Sequence, residues 1–195
     1  MGAKHAKLSP EQVEELTQNT HFSQKELNKW YRGFLHDSPS GTISKEEFCK
    51  IYKRFFPFGD STAFASLLYE RFSLNDNGLL EFREFVVGLS TASRGSLEEK
   101  LQWTFQLYDH NHDGVITRDE MEAVVEAIYK MVGSMVEFPE GAETPQLRVN
   151  RIFEAMDTVH IITNGDGKIT EEEFIQGAKN DPSIIKALSL YDGLI

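Results

Sequence analysis

With 195 residues, 40% of them apolar and 26% charged, the chain can bury a core, which excludes a disordered protein and leaves one compact domain or two small lobes. A net charge of −11 excludes nucleic acid as the main partner, because neutralising phosphates needs clustered Lys and Arg; metal cations or basic peptides suit it better. Uninterrupted apolar stretches span only a few residues, far short of the roughly 18–20 that a membrane-crossing helix needs.

Met1-Gly2 is followed by Lys4 and Lys7, a pattern that predicts N-myristoylation of Gly2 beside a small basic cluster, with Ala6 standing where an acylation site carries Ser or Thr. One myristoyl chain holds a bilayer with an association constant of only about 10⁴ M⁻¹. Membrane contact is therefore expected to be peripheral and reversible, with Lys4, Lys7 and nearby Lys25, Lys29 or Arg32 supplying a second attraction. The lone Cys49 excludes an intramolecular disulfide, and no apolar leader precedes a cleavage site, so a cytoplasmic location is expected.

One spacing then recurs four times: a Gly six residues before a Glu that precedes Phe or Met, in Gly41/Glu47/Phe48, Gly78/Glu84/Phe85, Gly114/Glu120/Met121 and Gly167/Glu173/Phe174. Two positions after each Gly lies an apolar residue, Ile43, Leu80, Ile116 or Ile169. Helix-period apolar patterns flank each copy, so the unit reads helix, loop, helix. A hard cation such as Ca²⁺ wants six to eight oxygens. A twelve-residue loop supplies them from side chains at positions one, three and five, a carbonyl at seven and a bidentate Glu at twelve.

In the first copy that register puts His36 in the lead and Ser38 third, with Pro39 next. Pro fixes φ and restricts its neighbour, so this loop is expected not to wrap an ion, and His36 to be an ordinary, partly buried histidine. In the second copy Ser73 leads, followed by Asn75, Asn77, the Leu79 carbonyl and Glu84. The oxygen cage persists with less charge, which leaves weakened binding of Ca²⁺ or Mg²⁺ and no binding as the two outcomes.

The third copy is complete. Asp109, Asn111 and Asp113 alternate ahead of Gly114, Val115 offers its carbonyl and Glu120 closes the twelve residues, which is the calcium loop of an EF-hand. His110 and His112 fall at non-ligand positions and are expected to face solvent. In the fourth copy Asn164, Asp166, the Lys168 carbonyl and Glu173 are in register, yet the leading residue is Ile162, and Asp157 lies five residues too early. Removing residues 159–163 on paper restores a full loop, so that segment reads as an insertion. Either it bulges outward while Asp157 reaches the ion, or the site is lost; loss is favoured, because ligand geometry is stricter than loop closure. Capping boxes are expected at Ser44/Glu47, Ser96/Glu99, Thr117/Glu120 and Thr170/Glu173.

Single EF-hands expose apolar faces that demand pairing. The predicted fold is therefore all-α, in two lobes of two EF-hands each, with a short two-stranded β contact between paired loops. Residues 1–92 form the first lobe and 93–195 the second, with a hinge in the small-residue stretch Ser90–Ser96. Phe48, Ile51, Tyr52 and Phe55 recur at helical spacing, and Trp30, Phe34, Phe85, Leu89 and Trp103 add large side chains around the first lobe. Most of such a stripe is core; a residual groove would accept an amphipathic partner helix. The tail from Asp181 carries Ile184, Leu188, Tyr191 and Ile195 on one helical face and is a candidate plug for the same groove.

The strings MGAKHAKLS, DSPSG, KIYKRFFPFGD, STASRGSLEEKLQW and DPSIIKALSLYDGLI, spread from end to end, closely resemble the neuronal calcium sensor family. The resemblance implies metal in loops two, three and four, a crippled first loop, and an apolar crevice for partner helices. The crevice positions carry over to Trp30, Phe34, Phe48, Ile51, Tyr52, Phe55, Phe85 and Leu89. It further implies lipid anchoring through Gly2 at Golgi or plasma membranes and regulation of phosphatidylinositol 4-kinase and of receptor or channel signalling. Three departures qualify it: Ser73 replaces an acid, residues 159–163 interrupt loop four, and Ser38 stands where the family usually carries Cys before Pro39.

The expected function is a calcium-dependent adaptor with affinity in the sensor range of about 10⁻⁷–10⁻⁵ M. A scaffold subunit that holds its target with or without calcium is the rival reading, and a simple calcium buffer a third. No Ser/His/Asp, Cys/His or phosphate-loop constellation points to an enzyme.

Overall fold

In the computed structural model, residues 7–57, 59–72, 78–133, 144–157 and 167–180 are described. They form α1 (Pro10–Asn19), α2 (Gln24–Asp37), β1 (Thr42–Ile43), α3 (Lys45–Phe55), α4 (Thr62–Phe72), β2 (Leu80–Glu81) and α5 (Phe82–Arg94). Then follow α6 (Leu97–Tyr108), β3 (Val115–Thr117), α7 (Arg118–Val132), α8 (Pro145–Asp157), β4 (Lys168–Thr170) and α9 (Glu171–Asn180). The all-α architecture with minimal antiparallel bridges is as expected from the fourfold repeat.

The helix starts follow from local chemistry. Ser44 accepts from the Glu47 amide while Glu47 reaches back to the Ser44 amide, and Thr117/Glu120, Ser96/Glu99 and Thr170/Glu173 repeat the exchange. Ser9/Gln12 and Ser23/Glu26 open α1 and α2 in the same way. Each loop glycine holds a positive φ, from 65° at Gly78 to 86° at Gly114, where a side chain would be strained.

The loops pair as two short ladders. Thr42 and Ile43 face Glu81 and Leu80, and Val115, Ile116 and Thr117 face Thr170, Ile169 and Lys168. Ile43, Leu80, Ile116 and Ile169 are all buried, so each ladder also closes its core from above. The Tyr69 hydroxyl sits 2.8 Å from both the Ile43 and Gly78 carbonyls and ties α4 to the first ladder.

Two findings depart from expectation. The stretch read as a hinge is helical through Arg94, and the break narrows to Gly95 and Ser96. Ser90 is buried there and accepts from the His21 amide at 2.7 Å, while the Thr91 and Ser93 hydroxyls donate to carbonyls one turn back; tertiary and local bonds thus absorb the polar groups that had suggested a break. The larger core also runs past residue 92. It joins Leu27, Phe48 and Leu68 to Leu107, Val124, Ala127 and Met131, because α4 lies against α7. A second core gathers Leu101, Phe105, Ile116, Phe153, Ile169 and Phe174.

Candidate metal loops and apolar crevice

Loop three, residues 109–120, shows how the sequence arranges oxygen. Asp109 ends α6, its amide donating to the Phe105 carbonyl at 2.8 Å, and it is only 5% exposed. Its carboxylate accepts from the Asp113 amide at 3.1 Å and the Gly114 amide at 3.0 Å. Asn111 Oδ1 takes the Asp113 amide at 2.9 Å, and Asp113 Oδ1 takes the Val115 amide at 3.1 Å. His112 and Gly114, with φ of 57° and 86°, turn the backbone so that these three side chains converge.

The closing Glu120 is held on the cap of α7. Its Oε2 accepts from the Thr117 amide at 2.9 Å and the Thr117 hydroxyl at 2.7 Å, and its Oε1 from the Asn111 amide at 3.3 Å. Partial burial pushes the Glu120 carboxyl up, but the Thr117 hydroxyl and the two amides outweigh it, leaving the group below its ordinary value and ionised. Glu120 thus faces the cap, and among the described residues no three His, Cys, Asp or Glu side chains form a ready-made metal cluster. The donor set nevertheless fits a hard cation: three carboxylates, an amide oxygen and a backbone carbonyl in one twelve-residue turn. His110 and His112 are exposed as expected; His110 lies 3.5 Å from Glu70 of α4, which also meets Lys45 at 2.5 Å.

Loop one is closed on itself. The buried Ser38 hydroxyl donates to the Thr42 carbonyl, the oxygen at position seven of the register, and Ser40 donates to the same atom at 2.9 Å. Two hydroxyl protons occupy an oxygen that a cation would need. His36, expected to be partly buried, is instead exposed and 3.3 Å from Asp37, because it projects from the outer face of the last turn of α2.

In loop two, Gly78 turns the chain, Leu79 is exposed, and Glu84 caps α5 through the Glu81 amide at 2.9 Å. Ser73, Asn75 and Asn77 lie outside the described residues. In loop four, Lys168 pairs in β4 and Glu173 accepts from the Thr170 amide at 2.8 Å, while Asp157 is the last residue of α8. The Asp157 side chain, Asn164, Asp166 and the 159–163 segment lie outside the described residues, as do Gly2 and the tail from Asp181.

The structure brings seven of the eight expected crevice residues together around one apolar hollow of about 170 Å³. Trp30 and Phe34 come from α2, Phe48, Ile51 and Tyr52 from α3, and Phe85 and Leu89 from α5; the eighth, Phe55, has a side chain outside the described set. Rings interlock at its edges, Phe34 on Phe85 at 5.7 Å, Trp30 on Phe85 at 6.4 Å and Phe48 on Tyr52 at 6.0 Å. Sequence reasoning missed Gly33, Asp37, Ile43, Phe56, Leu68, Phe72 and Ala92 in the lining. Phe72, whose ring lies tilted against Trp103 at 6.1 Å, had a signal in its place immediately ahead of loop two.

Helix–loop–helix units with left-handed loop glycines, joined in pairs through their loops, define a calcium-binding protein of the EF-hand class. Residues 98–179 match the EF-hand domain pair family. The chain is also 49% identical over 192 residues to neuronal calcium sensor 1 of Lymnaea stagnalis and 50% identical over 192 residues to that of Aplysia californica, in both cases across 98% of each chain. The chain belongs to the neuronal calcium sensor family, whose members are calcium-binding regulators and not enzymes. No helix among the described residues is long and apolar enough to cross a membrane.

Proposed function

We propose that the chain is a calcium sensor in which loop three is the principal site, with Asp109, Asn111, Asp113, the Val115 carbonyl and Glu120 as ligands. Loop two, through Ser73, Asn75, Asn77, the Leu79 carbonyl and Glu84, is a weaker site for Ca²⁺ or Mg²⁺. Loop four, with Asp157 out of register from Asn164, Asp166, the Lys168 carbonyl and Glu173, is the site lost to the insertion. A bound Ca²⁺ supplies a fixed double charge, and the protein's part is to move Glu120. Serving as a bidentate ligand would take the Glu120 carboxylate off the Thr117 amide and hydroxyl and so would displace the start of α7. That helix packs on α4, whose Leu68 and Phe72 line the crevice.

The EF-hand pairs divide as residues 1–92 and 93–195 across a shared core, and the crevice, lined by the first pair with Trp103 from the second, is the output surface for an amphipathic helix of a target protein. By resemblance the target is phosphatidylinositol 4-kinase or a receptor or channel, met at Golgi or plasma membranes by a cytoplasmic protein tethered through acylated Gly2. The observation that carries the reading is the apolar hollow ringed by Trp30, Phe34, Phe48 and Phe85, placed one helix away from the complete calcium loop. A target-helix binding titration on wild type and on a Trp30→Ala/Phe34→Ala variant, each with calcium and with chelator, tests it. Calcium-dependent binding lost in the variant is expected. Undiminished binding by the variant rejects the crevice, and equal wild-type binding with chelator identifies a constitutive scaffold.

A further inference from the structure

Among the described residues that line the crevice, Asp37 alone carries a formal charge. It is the last residue of α2, so its carboxylate adds to the partial negative charge of that helix's C-terminal carbonyls. Trp30, Gly33, Phe34 and Asp37 follow one another at helical spacing on the crevice face of α2, which makes that end of the apolar hollow electronegative. Among the described residues, Asp37 meets the adjacent His36 and the Arg54 guanidinium, which is 68% exposed and 3.4 Å away, a solvent-screened pair that a desolvated cation can displace.

Gly33 adds an independent observation. A glycine inside a helix weakens it relative to alanine, and packing commonly explains its presence. At Gly88 an added Cβ would stand 2.0 Å from the Phe72 ring, and at Gly177 2.5 Å from Met156. At Gly33 it would meet nothing within 4 Å among the described residues. Close packing does not account for this glycine, and the open space lies one turn from Asp37 on the same lining.

We infer that Gly33 and Asp37 form a socket for a Lys or Arg side chain of the partner helix, whose stem crosses the bare backbone at Gly33 and whose cation meets the Asp37 carboxylate. The inference rests on the crevice being the partner-helix site and deepens it. The partner has an apolar face bordered by a basic residue, and the socket selects it over helices that are equally apolar but neutral or acidic there.

The test uses the full-length calcium-loaded protein and three acetylated, amidated amphipathic peptides that share one apolar face and carry Arg, Gln or Glu at its border. Affinities are read by fluorescence anisotropy. Wild type is expected to prefer the Arg peptide over the Gln peptide by about fivefold and to bind the Glu peptide weakest. Asp37→Asn is expected to bring the Arg-to-Gln ratio to one, and Arg54→Ala to enlarge it. Gly33→Leu is expected to raise the melting temperature yet abolish the Arg preference. A wild-type ratio of one, or a ratio that survives Asp37→Asn, overturns the socket while leaving the crevice standing. Binding of none of the peptides defeats the crevice reading and the socket with it.

Discussion

Gly59→Ala should act as a wedge between the two halves of the molecule. An added Cβ at Gly59 would lie 2.2 Å from the Met131 carbonyl oxygen and 2.4 Å from that of Lys130. Both are backbone atoms at the end of α7, so no flexible side chain can give way. The backbone at Gly59 is not in the left-handed region, so the effect is steric and not conformational. Overpacking of this kind costs about 1–3 kcal/mol. The adjacent Asp60 amide donates to the Lys130 carbonyl at 2.8 Å, and losing that hydrogen bond adds about 1 kcal/mol. The total, about 2–4 kcal/mol, is a large share of a stability of about 5–15 kcal/mol. Urea unfolding followed by tryptophan fluorescence, in chelator, reads it directly. Gly33→Ala is the matched control: its Cβ meets nothing, so the gain in helix propensity should stabilise by about 1 kcal/mol. A Gly59→Ala midpoint within about 0.5 kcal/mol of wild type, or the same sign for both variants, would refute the claimed close approach of α7 to the start of α4.

Glu120→Gln should cut calcium affinity at loop three at least about tenfold, because a neutral amide cannot supply the bidentate charge; calorimetric titration with an unchanged binding constant would count against the ligand set. Ser44→Ala should destabilise the protein by about 1 kcal/mol, since it removes the hydroxyl that caps α3 at Glu47, and the check is the shift in urea midpoint at constant slope. The Arg94 guanidinium, with the Ser23 hydroxyl and amide, holds the Glu26 carboxyl down from 4.5 to about 2. A depressed carboxylate contributes stability above its unfolded value, so this contribution should be complete above pH 4.5 and fade as pH falls toward about 2. Arg94→Ala should therefore move the Glu26 titration upward, measurable by side-chain carboxyl NMR.

The loops were legible in the residues themselves because their determinants lie within a dozen positions. A glycine at the sixth position must take a positive φ, the apolar residue two further on must point inward at the ladder, and the Thr or Ser three residues before the closing Glu must cap. Gly114, Ile116 and Thr117 do all three. The aromatic stripe likewise marked most of the crevice, since helical spacing puts Phe48, Ile51 and Tyr52 on one face.

Tertiary structure decided what those local units do to one another. Ser90–Arg94 reads as a break in composition but is helix, because the polar side chains find partners in His21 and in the preceding turn. Nothing in the residues near Gly59 announces that α7 will pass within contact of it, and no local pattern distinguishes Gly33, with open space above it, from Gly88, pressed on Phe72. Short-range geometry depends on φ, ψ and spacings of three or four residues, which a chain carries everywhere. Which apolar face meets which, and which carboxylate ends at the mouth of a groove, depends on contacts between segments far apart in sequence, and those exist only once the helices have packed.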